Sequence, residues 1–219
     1  MATILCLETS TTNCSVALSV NGSVIALQED MEGGYSHAEK LHPFIESVLA
    51  EADIEKNKLD AIAVSKGPGS YTGLRIGVSA AKGLCMSLDI PLISVATLRS
   101  LALQANDSKA RFCIPLLDAR RMEVYASVFE NASEIRATKA EILTPLSFSE
   151  YLEKGTTVFI GNGVPKFKTI CQHSNAVFME DYLPSAAQMS SIADAKFKKN
   201  DIEDVAYFEP YYLKDFIAG

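Results

Sequence analysis

Residues able to do chemistry are thinly spread in this chain, and their spacing limits what each can do. His37 and His42 fall five positions apart in a stretch with helical periodicity. At about 100° per residue the two side chains lie roughly 140° apart, on different faces. Helical zinc pairs use spacings of about three or four, and the third histidine, His173, is remote in sequence. The pattern implies no metal site. Glu8, Asp118 and Glu123 stand near the ends of apolar runs, where acid–base or magnesium chemistry can sit, but nothing in their spacing makes them converge. Asp118-Ala119-Arg120-Arg121 reads as a polar hairpin turn. Cys85 lies in an apolar helical context, where a thiol stays protonated, and the chain has no GxSxG elbow. No catalytic residue is expected from these groups, and no cofactor.

The segment VSKGPGSYTGLRIGVSAAKG (64–83) is the richest in glycine, and it runs from a strand-like stretch through a turn into a helix. A P-loop is excluded: Gly69 and Gly73 are too close, Gly67 and Gly73 too far apart, and Leu74 stands where Lys belongs. Gly67, Gly69 and Gly73 give GxGxxxG, one residue too long for a dinucleotide fingerprint, and the next strand ends in Ser94-Val95-Ala96 without a carboxylate. Two readings stay open for the turn. Its glycines either supply positive φ to a tight turn or bring helix N–H groups against an anion. Within the helix, Gly73, Gly77 and Ala81 recur every fourth residue. Interior glycine costs a helix about 1 kcal/mol relative to alanine, so a close approach should offset it, by a partner's helix or by elements of the same chain. Leu74, Ile76, Val78, Leu84 and Leu88 spread over more than one face, and an exposed apolar surface usually marks a partner site.

The elements that must position these residues follow from periodicity. Apolar run 2–10 reads as a buried strand, and 14–20 and 23–30 as a hairpin across Asn21-Gly22. After Gly33-Gly34, Ser36 and Glu39 form a capping-box pattern for a helix over 36–54, bent or restarted at Pro43. Strand 59–65, helix 72–88, strand 90–95 and a short helix from Thr97 to Ala105 come next. Beyond the Asn106-Asp107-Ser108 loop, 111–119 and 122–130 pair across Arg120-Arg121, followed by strand 135–143, a helix near 147–153, strand 156–163, a helix after Pro165 and a helix over 185–198. The order suggests two α/β units in tandem, 1–104 and 105–219, with the last helix and apolar tail docking back on the first. No residue-level repeat links the two.

Composition sets outer bounds. The 219 residues are 48% apolar and 21% charged, enough for a sizeable core. A net charge of −7 argues against a free-standing nucleic-acid binder while allowing a partner that brings the positive surface. Five scattered cysteines without a CxxC pair suit a reducing cytoplasm rather than a disulfide framework. The opening MATILCLETS reads as a strand rather than a signal peptide, and no run reaches the roughly 18 apolar residues of a membrane span.

ILCLETSTTNCSVAL, YSHAEKLHPFIESVL, VSKGPGSYTGLRIGVSAAKGL, LDARRMEVYASVF, PSAAQMSSIA and PYYLKD together resemble the TsaB (YeaZ) family, over Ile4 to about Leu213. The resemblance implies the actin-like ATPase (ASKHA, ribonuclease H-like) fold, two related lobes each with a mixed sheet flanked by helices. It also implies a non-catalytic scaffold in making threonylcarbamoyladenosine next to the anticodon of tRNA, paired with the transferase TsaD and joined by TsaE, with tRNA reached through the complex. TsaC makes the activated intermediate. A homodimer is implied when TsaD is absent. TsaD binds metal through two histidines four apart, whereas this chain offers His37 and then Leu41, with His42 out of register. Ser10, Thr11 and Thr12 match the first phosphate hairpin of the fold and imply at most a degenerate nucleotide contact. The implied partner interface takes Leu41, Phe44, Ile45 and Val48 from the first helix, and Gly73, Leu74, Ile76, Gly77 and Ala81 from the second. An active nucleotide-dependent kinase or transferase of the same fold is the alternative. A metalloprotease is a third reading, against the histidine spacing.

Overall fold

The computed structural model describes residues 1–31, 34, 36–105 and 109–214. Gly33, the 106–108 loop and the tail beyond Lys214, all named above as expected features, lie outside the described residues.

The first unit comprises residues 1–100 and the C-terminal segment from Pro184, and the second comprises Leu101–Leu183. The first therefore takes its last helix from the far end of the chain, and its boundary falls four residues before the expected one. Its strands are β1 (Thr3–Glu8), β2 (Cys14–Val20), β3 (Ser23–Asp30), β4 (Ala61–Gly67) and β5 (Leu92–Ala96), in the order β3-β2-β1-β4-β5. β1 pairs antiparallel with β2 and parallel with β4. Alternate residues of each strand feed opposite faces, and both faces are covered. Leu5, Leu7, Ile62 and Val64 face helices α1 (His37–Glu51) and α2 (Tyr71–Leu88), meeting Leu41, Ile45, Val48, Val78 and Ala81. On the other face, Ile4, Cys6, Ala61 and Ala63 meet Ala186, Met189 and Ala193 of α6 (Ala186–Lys198). Burial on both faces is why β1 and β4 read as continuous apolar runs rather than alternating ones.

α1 runs unbroken through Pro43, so the expected bend or restart does not interrupt it. Pro43 and Glu39 are both exposed, so the carbonyl that Pro43 cannot bond belongs to a solvent-facing residue. The capping box does not form either. Ser36 makes no side-chain cap; its hydroxyl donates to Asp30 Oδ2 at 2.8 Å, and Lys40 pairs with the same oxygen at 2.5 Å. A carboxylate at the end of β3 outcompetes the helix N-terminus for the serine. Helix α3 (Thr97–Leu103) follows β5.

The second unit builds β6 (Phe112–Asp118), β7 (Glu123–Glu130), β8 (Ser133–Ile142), β9 (Thr157–Ile160) and β10 (Ala176–Met179), with short helices α4 (Ser149–Leu152) and α5 (Val164–Lys168). Its order is β10-β9-β6-β7-β8. Numbered from β6, that is the same sheet as the first, with antiparallel β6–β7 and β7–β8 and parallel β6–β9 and β9–β10. Its core sets an aromatic cluster among aliphatic residues such as Ile114, Leu116 and Val128: neighbouring rings of Phe148, Phe159, Phe167 and Phe178 have centroids 4.7 to 6.2 Å apart. Both units are therefore α/β, each with a mixed sheet and helices, the fold class that the family resemblance implies.

Candidate functional site

Glycines of α2 and the turn before it press onto the β1–β2 turn. A Cβ on Gly69 would stand 2.3 Å from Ser10 O, one on Gly73 2.1 Å from Thr9 O, and one on Gly77 2.2 Å from Thr9 Oγ1. Contacts under 3.0 Å demand that something shift, so each of these three positions requires glycine for close approach. The hydroxyl of Thr9 donates to Gly73 O at 2.8 Å, and Ser70 N donates to Ser10 O at 2.6 Å. Ser70 caps α2 by accepting from Gly73 N at 3.2 Å. At Gly67, φ is +110°, a backbone conformation for which glycine is suited. Of the two readings left open for the turn, the tight turn describes it, with Gly67 at positive φ and Gly69 serving close approach instead: the strand end, the turn and the helix start bond to one another.

The candidate nucleotide contacts sit inside this joint. Ser10 is 1% exposed, Thr11 is buried, and only Thr12 is partly accessible. His37 Nε2 donates to Thr11 O at 2.7 Å, and burial lowers the imidazole's pKa against the pull of that bond. His42 is exposed on the opposite side of α1, so the two histidines do not meet, in line with their spacing. Among the described residues no group of three His, Cys, Asp or Glu stands ready for a metal ion.

Glu8 closes the base of the turn. It is fully buried, and its Oε1 accepts from Ser10 N at 2.6 Å and from Ser65 Oγ at 2.8 Å, while Oε2 has no partner. Burial pushes its carboxyl above the ordinary range, against the hydrogen bonds from Ser10 and Ser65. Asp118 and Glu123 belong to the β6–β7 hairpin, where Asp118 Oδ1 accepts from Lys166 Nζ at 2.8 Å. Burial pushes the Cys6 thiol up to about 12 and the Cys85 thiol to about 11, which keeps both protonated.

The expected partner interface divides in two. Leu41, Ile45, Val48, Gly73, Leu74, Gly77 and Ala81 are buried by the chain's own sheet and turn. Within the chain these residues belong to the core, and Gly73 and Gly77 lie against Thr9. Phe44 and Ile76 remain partly exposed. The bare side of the helix pair lies about one position round α2, where His42, Tyr71, Arg75, Ile76, Ala80, Gly83 and Leu84 line an open groove of about 730 Å³. A Cβ on Gly83 would meet nothing within 4 Å. The apolar positions spread over more than one face of α2 carried this signal, and the glycine spacing drew attention from it.

Residues 32–218 match the family model described as TsaD, tRNA N6-adenosine threonylcarbamoyltransferase. The tRNA threonylcarbamoyladenosine biosynthesis protein TsaB of Escherichia coli (strain K12) is 31% identical over 223 residues, covering 98% of this chain and 96% of that protein. The chain belongs to the TsaB family. The TsaB protein of Haemophilus influenzae is 28% identical, over 99% of this chain and 95% of its own. The solved structure of YeaZ from Pseudomonas aeruginosa matches with a TM-score of 0.84 at 29% identity, over 97% of this chain and all of that one. In this TsaB-family chain the C-terminal segment adds to the bare groove. Tyr212 packs on Tyr71 at 5.0 Å between ring centroids and its hydroxyl accepts from Arg75 Nε at 3.3 Å. Lys82 Nζ anchors the segment through Ala206 O and Phe208 O at 3.1 and 3.0 Å. Among the described residues no helix is long and apolar enough to cross a membrane.

Proposed function

We propose that this chain is a non-catalytic subunit of the cytoplasmic apparatus that makes threonylcarbamoyladenosine in tRNA, and that it docks the TsaD transferase through the exposed side of α1 and α2. The observation that carries this reading is the contrast between two surfaces. The turn that would hold phosphate is filled by the chain's own glycine helix, with Ser10 and Thr11 buried. The helix pair beside it leaves an apolar groove uncovered, and Met86 of α2 is exposed as well. TsaE joins the assembly, tRNA is engaged within it, and a second copy occupies the groove when TsaD is absent.

The proposed interface is Phe44 and Ile76 from the sequence reading, with His42, Tyr71, Arg75, Ala80, Gly83 and Leu84. Tyr and Arg near the centre of such a patch are the residue types that dominate binding energy. Gly83→Leu tests it. Leucine is the better helix former and its Cβ would meet nothing within 4 Å at this position, so the variant is expected to fold while its side chain enters the groove. Tagged wild-type chain is expected to co-purify the transferase subunit and Gly83→Leu to lose it. Equal recovery by both chains refutes the docking face.

A further inference from the structure

The turn joining β6 to β7 is absorbed by neither the core nor the docking face. By strand order it is the counterpart of the β1–β2 turn, yet it is open where that one is buried. Two other hairpins show how the chain usually builds a tip. The β2–β3 turn places Asn21 and Gly22 at φ +52° and +80°, and the β7–β8 turn places Asn131 and Ala132 at +47° and +62°. Asparagine and glycine tolerate this left-handed region, and alanine at least is small. The β6–β7 turn puts Arg120 and Arg121 there instead, at +68° and +47°. A long side chain gains the turn nothing at such a position.

Both arginines are exposed, and neither takes part in an ion pair among the described residues. The neighbouring carboxylate is already engaged: Asp118 Oδ1 accepts from Arg120 N at 2.6 Å and from Lys166 Nζ at 2.8 Å. Asn162, in the β9–α5 turn, accepts from Asp118 N at 2.9 Å, and Lys166 Nζ also donates to Glu123 O at 3.2 Å. The tip is braced from below while two guanidinium groups face solvent, in a chain whose net charge is −7.

We propose that the Arg120–Arg121 tip contacts the phosphodiester backbone of tRNA directly. The inference rests on the reading of the chain as a tRNA-modification subunit and goes beyond it, by giving this acidic chain an RNA contact of its own. Guanidinium forks match phosphate oxygens in bidentate fashion. Two of them on an exposed tip suit a polyanion, which offers several phosphates at once, better than a single mononucleotide.

The test is the double variant Arg120→Asn, Arg121→Gly, which installs the turn residues used between β2 and β3 and so protects folding. Fluorescence anisotropy with labelled tRNA is run over a salt series, on the chain mixed with the transferase subunit and on the chain alone. The expected result is an unchanged or higher melting temperature, affinity roughly 10-fold weaker, and a log–log salt slope smaller by about two. The pair Arg120→Lys, Arg121→Lys is expected to restore most of the slope. Unchanged affinity and slope in the double variant overturn the proposal, as does a fall in melting temperature without loss of binding. So does absence of tRNA binding by wild type both alone and in the mixture. A wild-type chain that binds tRNA but not the transferase overturns the docking reading only.

Discussion

Glu8 carries the sharpest consequence of a single side chain. Its type and place at the end of β1 suggested acid–base or magnesium work, yet the carboxyl is enclosed and bonded to Ser10 and Ser65. Burial favours its protonated form, so its folded pKa lies above the unfolded value. With such a shift the folded state holds the proton over a pH window in which the unfolded chain has released it. Stability from this group is complete below the unfolded carboxyl value and declines as pH rises from there towards the folded value. Glu8→Gln keeps an acceptor for Ser10 N and Ser65 Oγ and removes the titration. The difference in melting temperature, variant minus wild type, is expected to grow from pH 4 to pH 8. A difference that stays flat or shrinks over that range shows that Glu8 is not held neutral.

Helix α2 shows how one element divides its duties, and two glycines on it predict opposite outcomes. Gly77 faces Thr9 Oγ1 at 2.2 Å from an ideal Cβ, so Gly77→Ala forces the buried turn apart and is expected to destabilise by about 1–3 kcal/mol. Gly83 faces open space, so Gly83→Ala is expected to stabilise the isolated chain by up to about 1 kcal/mol. Urea unfolding measures both, and equal signs would contradict the assignment of faces. The sequence suggests that an interior glycine such as Gly77 has a close neighbour, because interior glycine is unfavourable. It does not reveal which neighbour, because Thr9 lies more than sixty residues away and only the β1–β4 pairing brings it near. Element positions were readable for the same reason that neighbours were not: periodicity and turn residues act locally. The missed strand, β10, is four residues long with only partial burial, too short to show alternation. Ser36 misled because its hydroxyl donates to a nearby carboxylate, Asp30, and makes no cap to the N–H donors of the helix terminus.

At the scale of the molecule, two sheets with one strand order arise from sequences that share no visible repeat. Aliphatic side chains fill one core, and a phenylalanine cluster joins the aliphatic residues of the other, so the same topology is reached by different packing and the repeat leaves no residue-level trace. The last helix closes the first unit through Ala186 and Ala193, whose small side chains let it lie close over Ala61 and Ala63. Beyond it the C-terminal segment runs along α2 to Tyr212, beside the bare groove. The proposed docking role requires that groove to be where the transferase subunit binds. Hydrogen–deuterium exchange of the chain with and without the transferase tests this most directly. Slowed exchange is expected in peptides spanning Tyr71–Leu84 and the His42 region. Unchanged exchange there, with slowing elsewhere in the chain, would contradict it.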